Sequence, residues 1–167
     1  MRESFPTDEH GLILFRDVDS VGRRAELYAA VEAGELRRIR RGVYLPNRPE
    51  STASVWERDT IEYRARVLAA SKVLDGAVFT SFSAIALAGL PIFGRWPDDV
   101  YVLSRDRFGS RRPGGVVAVA RPNPVDVDVV DGCAVTSLEY SLIQVCRRAT
   151  LAAALTAMDA AVRRPRF

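Results

Sequence analysis

The feature that most constrains the fold of this chain is a short segment, residues 35–46, in which strand-forming residues alternate with arginines. Leu36, Ile39 and residues 43–45 have the apolar and β-branched character of short strands. Arg41-Gly42 supplies a turn in which the glycine accepts a positive φ. The sequence therefore predicts a β-hairpin. Its four like charges repel one another unless something anionic relieves them, so an anionic ligand is indicated.

An amphipathic helix is predicted just before this hairpin, closed by Gly34. Leu27, Ala30 and Val31 recur on one face at helical spacing. A helix followed by a basic hairpin is typical of a winged helix-turn-helix, in which the helix enters a DNA groove and the hairpin contacts phosphate. The residues of this unit that we expect to contact double-stranded DNA are Arg23, Arg24, Tyr28, Arg37, Arg38, Arg40 and Arg41.

The residues before this helix give a weaker signal for secondary structure. An apolar helix is expected from Leu12 to Asp19, followed by a turn at residues 20–22. Two prolines and a polar run over residues 46–52 then form a poor continuation of any helix or strand. We therefore expect a winged helix-turn-helix domain over residues 1–48 and a second domain over residues 53–167.

For the second domain, the sequence predicts a small α+β fold, so the whole chain is expected to be α+β. Helix N-caps are expected at Ser81 or Ser83, at Thr136 and at Thr150. The predicted helices span residues 55–74, 81–87, 136–148 and 150–164, and the predicted strands span residues 77–79, 100–103, 116–120 and 125–130.

The net charge of +3 hides an uneven distribution. Lys72 is the only lysine, so arginine carries nearly all the positive charge, and arginine favours bidentate contacts to phosphate or guanine. Residues 105–115 predict a long basic loop, which would be either solvated or a second phosphate clamp. Its expected DNA-contacting residues are Arg105, Arg107, Arg111 and Arg112.

Enzymatic chemistry has little support in the sequence. Cys133 and Cys146 lack metal-ligand spacing and are expected to be buried and reduced, and His10 is the only histidine, so a zinc site is nearly excluded. Asp126 and Asp128 share a strand face that two carboxylates could use for Mg²⁺, but the polar side of a half-buried strand explains them better. We expect no enzymatic activity and no cofactor.

The absence of a long apolar run and of a signal peptide predicts a cytoplasmic protein that does not contact the membrane. Two alternatives to DNA binding stay open. One is a protein-interaction module whose basic patches meet an acidic partner. The other is a metal-dependent nuclease or nucleotidyltransferase.

A series of short motifs lies at residues 11–13, 34–36, 40–44, 83–91, 131–132 with 135–137, and 159–161 with 163–164. Taken in order, these motifs resemble the AbiEi family of type IV toxin–antitoxin antitoxins, in particular its actinobacterial branch. The resemblance implies a DNA-binding N-terminal domain that represses its own operon, and a second domain associated, directly or indirectly, with neutralising a nucleotidyltransferase-like toxin. It implies no nuclease, because the chain stops where the endonuclease-like domain of some relatives would begin. Tyr140 and Gln144 stand where the family usually carries Arg and Asp.

Overall fold

The computed structural model describes residues 5–47, 54–105, 108–112, 114–121 and 123–164, with the backbone alone at 111 and 112. Its helices are α1 (Val21–Glu32), α2 (Val55–Ser71), α3 (Ser81–Leu87), α4 (Leu138–Cys146) and α5 (Leu151–Val162). Its strands are β1 (Ile13–Leu14), β2 (Leu36–Arg40), β3 (Val43–Pro46), β4 (Val100–Leu103), β5 (Ser110–Arg112), β6 (Val116–Val119), β7 (Val127–Val130) and β8 (Cys133–Thr136). This mixture confirms the predicted α+β class.

The N-terminal unit, residues 5–47, contains the predicted hairpin. Strands β2 and β3 pair on either side of the Arg41-Gly42 turn, where Gly42 has φ +75°. Strand β1 lies on the other edge of β3, so the sheet order is β1-β3-β2 and both pairs are antiparallel. Along the chain, helix α1 lies between β1 and β2.

The helix predicted from Leu12 to Asp19 is wrong. Ile13 and Leu14 form β1, and residues Phe15–Asp17 form a single 3₁₀ turn. Pairing with the hairpin decides this, since β1 bonds to β3 and the Phe15 amide donates to the Gly42 carbonyl at 2.9 Å. A short apolar run satisfies helix and strand equally well until such a partner is present.

Helix α1 is capped at both ends by local hydrogen bonds. The Ser20 hydroxyl accepts from the Arg23 amide at 3.2 Å, and Gly34, at φ +72°, reverses the chain after the last turn. The Asn47 side chain donates to the Gly34 carbonyl at 2.9 Å. The end of the hairpin is therefore bonded to the end of α1. Leu27 and Ala30 are buried on the inner face of the helix.

The hairpin lies between two helices. Tyr44 faces α1, in a cluster with Leu27, whereas Val43 belongs to the main core, together with Tyr63 and Val67 of α2. Leu12 and Leu14 join the same main core. The boundary placed between residues 48 and 53 stays a prediction, but one continuous apolar core connects the residues on its two sides.

The second unit, residues 54–164, is built around α3, which is buried along its whole length and packs against α4, α2 and β4. Strands β4 and β6 are parallel, and β5 lies antiparallel on the outer side of β6. Strands β7 and β8 form a hairpin. Phe79 forms isolated bridges to Val102 and Val135, which connects the two sheets beneath α3.

Several local predictions in this unit need correction. Thr80 precedes α3, so neither Ser81 nor Ser83 is its N-cap. Thr136 ends β8, a strand that the sequence did not predict, and Ser137 caps α4 instead. Cys146 is exposed rather than buried. The cap at Thr150 is confirmed by its hydroxyl, which accepts from the Ala153 amide at 3.3 Å.

Candidate nucleic-acid interface

The hairpin distributes its arginines unequally because β2 contains a bulge at Ile39. Arg38 lies opposite Tyr44, whereas Arg40 lies opposite the next residue, Val43. Residues two apart on a regular strand share a face, but an extra residue between them breaks this rule. Arg38 therefore shares the α1 side of the sheet with Tyr44, and Arg40 shares the core side with Val43.

Arg37 faces the second unit. Its Nη1 donates to Glu62 Oε1 at 2.8 Å, and its Nη2 lies 2.5 Å from Glu62 Oε2. This two-point contact with α2 satisfies the planar donor pair of the guanidinium. The arrangement gives Arg37 a structural partner inside the molecule, and Glu62 is a residue that the sequence analysis did not single out.

Arg40 and Arg41 lie at the closed end of the hairpin. Burial lowers the pKa of the half-buried Arg40. Its side chain reaches Gly114, since a Cβ added at that glycine would lie 3.6 Å from Nη2 of Arg40. Arg40 thus brings the hairpin close to the predicted basic loop of the second unit. Arg41 is exposed in the turn itself. A shallow pocket beside this turn is lined by Phe15, Arg40, Arg41 and Lys72, among others.

Arg23 and Arg24 both lie in the first turn of α1, where they contact aromatic rings. The Arg23 guanidinium is 5.4 Å from the centre of the Phe5 ring, and the Arg24 guanidinium is 4.8 Å from that of Phe15. Arg24 Nε also donates to the Val18 carbonyl at 3.1 Å. Arg24 therefore braces the 3₁₀ turn against α1.

Tyr28 is half exposed on the outer face of α1 and connects the helix to the hairpin. Its ring lies 5.9 Å from that of Phe15, and its side chain lies beside that of Tyr44. Burial, and then the neighbouring Tyr28, raise the pKa of Tyr44, although the charge of Arg38 opposes the shift. Since Arg38 lies opposite Tyr44, the structure brings Tyr28 and Arg38 to one side of the N-terminal unit.

The basic segment of the second unit is more ordered than the predicted loop. Residues 110–112 form β5, an edge strand, and Arg111 and Arg112 lie opposite Val117 and Val116. Arg105 donates to the Asp75 carbonyl at 2.6 Å, and its own carbonyl accepts from Arg121. Arg107 lies outside the described residues, as do the side chains of Arg111 and Arg112.

Within the described residues, acidic groups do not assemble into a metal site: His, Cys, Asp and Glu form no cluster of three or more. Asp126 and Asp128 are exposed beside and on β7. Asp98 lies 3.6 Å from an Arg66 nitrogen, and the Asp99 carbonyl accepts from Tyr63 at 3.0 Å. These two aspartates belong to the bend before β4.

Across the described part of the chain, every helix is too short or too polar to span a bilayer. No curated protein matches this sequence. The family model described as "Transcriptional regulator, AbiEi antitoxin" matches residues 8–47, which include β1, α1 and the whole arginine hairpin. For residues 8–47, this match agrees with the family that the sequence resembles.

Proposed function

We propose that this chain is a DNA-binding transcriptional repressor that contacts its operator with α1 and the β2–β3 hairpin. The observation that supports this most directly is the sheet order β1-β3-β2 with α1 between β1 and β2. It brings the exposed face of an amphipathic helix and an arginine-bearing hairpin to one side of the unit. A helix beside such a hairpin can enter the major groove while the hairpin reaches the flanking phosphates.

The contacts divide the predicted residues into two groups. Arg38 and Arg41 are exposed, so they are the proposed phosphate contacts of the hairpin. Arg37 on Glu62 and Arg24 on the Val18 carbonyl hold the hairpin and the 3₁₀ turn in place. Tyr28 and Arg23 lie on α1 and are the proposed contacts to base edges, where specificity arises.

The AbiEi match over residues 8–47 further supports the proposal that the operator lies in the promoter of the chain's own gene. It also supports a role as an antitoxin paired with a nucleotidyltransferase-like toxin, neutralised directly or indirectly. Because the proposed DNA contacts on α1 and the hairpin occupy the N-terminal unit, the second unit is the proposed site of any toxin contact. Co-expression with a neighbouring gene of that toxin class tests the pairing, and restored growth is the expected result.

DNA binding is tested with the duplex just upstream of the gene, at about 50 and 200 mM salt. The wild-type protein should bind with a steep salt dependence. The double variant Arg38→Ala with Arg41→Ala should weaken binding to every sequence alike and reduce the salt slope by about two units, one for each lost phosphate contact.

The matched control removes the same two charges from exposed positions of the second unit, by Arg95→Ala with Arg147→Ala. This control should retain wild-type affinity. Wild-type binding by the Arg38 and Arg41 double variant, or binding that does not respond to salt, would contradict the proposal.

A further inference from the structure

Helix α5 carries two apolar stripes. Its inner side is a row of alanines, including Ala153 and Ala157, that packs into the core. Its outer side carries larger apolar residues that remain in solvent. This outer row consists of Leu151, Leu155, Met158 and Val162, which are exposed by 76, 55, 40 and 84%.

The spacing of the outer row is that of a helix–helix seam. Successive members are four, three and four residues apart, which is the alternation of the two apolar positions in a heptad repeat. A helix that packs only against its own domain needs one apolar stripe, and α5 already has one in its alanines. The outer row is therefore a second stripe, without a partner in the described part of the chain.

The exposed surface is large enough for a stable contact. With Ile143 of α4, which is 56% exposed, the outer row leaves roughly 600 Å² of apolar surface in solvent, at the upper limit for a monomeric protein. Two such surfaces bury about 1,200 Å² together, which reaches the range of specific protein interfaces. Met158 lies 3.5 Å from the Cys146 sulfur, so α4 continues the same patch.

We propose that two copies of this chain pair through α5, with the two helices antiparallel about a twofold axis. An axis that passes between Leu155 and Met158 sets each of these residues against the other in the second copy. Leu151 then meets Val162 of the second copy. Every member of the outer row gains an apolar partner, so the surface is complementary to itself, as a twofold interface requires.

The antiparallel direction follows from the helix dipoles, which oppose each other favourably in an antiparallel pair and repel in a parallel one. The charges beside the outer row do not decide the direction, because Asp159 and Arg163 form an ion pair with each other on the same helix, 3.1 Å apart.

This pairing does not depend on DNA binding, because α5 lies in the second unit and the proposed DNA contacts that the structure describes on α1 and the hairpin do not include it. Its test is the mass of the purified full chain in solution, measured by sedimentation over a range of concentrations. The wild-type protein is expected to be dimeric. Leu155→Glu should weaken the dimer by roughly a hundredfold or more, since each interface loses two buried leucines and gains two buried charges.

The matched control is Val129→Glu, which places the same charge at another apolar position, exposed by 73% on β7. It should leave the dimer intact, and circular dichroism should confirm that both variants are folded. A wild-type chain that stays monomeric up to about 100 µM, or a dimer that Leu155→Glu does not weaken, would overturn the proposal.

Cross-linking tests the direction of the helices in a Cys146→Ser background. Leu151 and Val162 lie about 16 Å apart along one helix, too far for a disulfide within one chain. Leu151→Cys with Val162→Cys should therefore form a covalent dimer on oxidation, whereas each single variant should not. Efficient cross-linking of either single variant would indicate a parallel pair and overturn the proposed geometry.

Discussion

Arg37 of the hairpin and Glu62 of α2 form a two-point ion pair, with nitrogen–oxygen distances of 2.8 and 2.5 Å. Arg66, one turn further along α2, lies 3.6 Å from the same carboxylate. The hydrogen bond from Arg37 lowers the pKa of Glu62, although partial burial opposes the shift. This contact fixes strand β2 against the helix of the second unit.

The Glu62 carboxylate should make stability depend on pH in acid. Its pKa in the folded state is below the ordinary value of 4.5, so its contribution is complete above that value and is lost as pH falls through the lower, folded-state pKa. The free energy of unfolding in urea should therefore fall more steeply between about pH 5 and pH 3 for wild type than for Glu62→Gln. Glu32→Gln, an exposed control, should follow wild type, and parallel curves for wild type and Glu62→Gln would contradict the prediction.

Arg37 and Arg38 are neighbours that should respond oppositely to truncation. Arg37→Ala should cost roughly 1 kcal/mol of stability, because a half-exposed bidentate pair is lost, and should leave the salt slope of DNA binding unchanged. Arg38→Ala should leave stability almost unchanged and reduce the salt slope by about one unit. Thermal melts and binding at two salt concentrations measure both effects, and a reversed pattern would show that the hairpin faces DNA with its other side.

The edge strand β5 provides a test of a second DNA contact. Arg111 and Arg112 are adjacent residues of β5, the outer strand of its sheet. Neutralising both should reduce the salt slope by about one unit for each phosphate contact that is lost, without changing sequence preference. An unchanged slope would show that Arg111 and Arg112 contact no phosphate.

Ser81 and Ser83 occupy the same buried helix and should differ in what truncation costs. Ser81 has φ +52°, and its buried hydroxyl lacks a hydrogen-bond partner among the described residues. Glycine accepts this φ without strain, so Ser81→Gly should retain or gain stability, by up to about 1 kcal/mol.

The Ser83 hydroxyl has two partners, since it accepts from the Tyr101 amide at 2.8 Å and lies 3.2 Å from the Tyr63 hydroxyl. Ser83→Ala should therefore cost about 1–3 kcal/mol, because buried polar groups lose their partner. Urea unfolding of the two variants provides the comparison. A larger loss for Ser81→Gly than for Ser83→Ala would contradict both assignments.

The sequence predicts well those elements whose signals are local. The hairpin at Arg41-Gly42, helix α2 and the Thr150 cap each depend on residues within one turn of the chain, and the structure contains all three. The 3.6-residue and two-residue periodicities that reveal such elements require no knowledge of distant partners.

Elements that depend on pairing across the chain could not be predicted in this way. Ile13 and Leu14 form a strand because β3 lies beside them, and β8 is a strand because β7 precedes it and Phe79 bridges to Val135. The sequence also does not show which hairpin arginine is paired inside the molecule, since the partner of Arg37 is Glu62, 25 residues away. An acid one turn before Arg66 was the available signal, but many surface helices carry such a pair.

The burial of Val43 in one core with Tyr63 and Val67 determines how the hairpin moves. A DNA-binding element on a flexible linker could move independently of the rest of the protein, whereas this hairpin packs into the core that it shares with α2. Its amide hydrogens should exchange with deuterium about as slowly as those of α2, since both are released by the same opening of the core. A ligand that displaces α2 should therefore displace the hairpin too, together with the arginines that the hairpin carries.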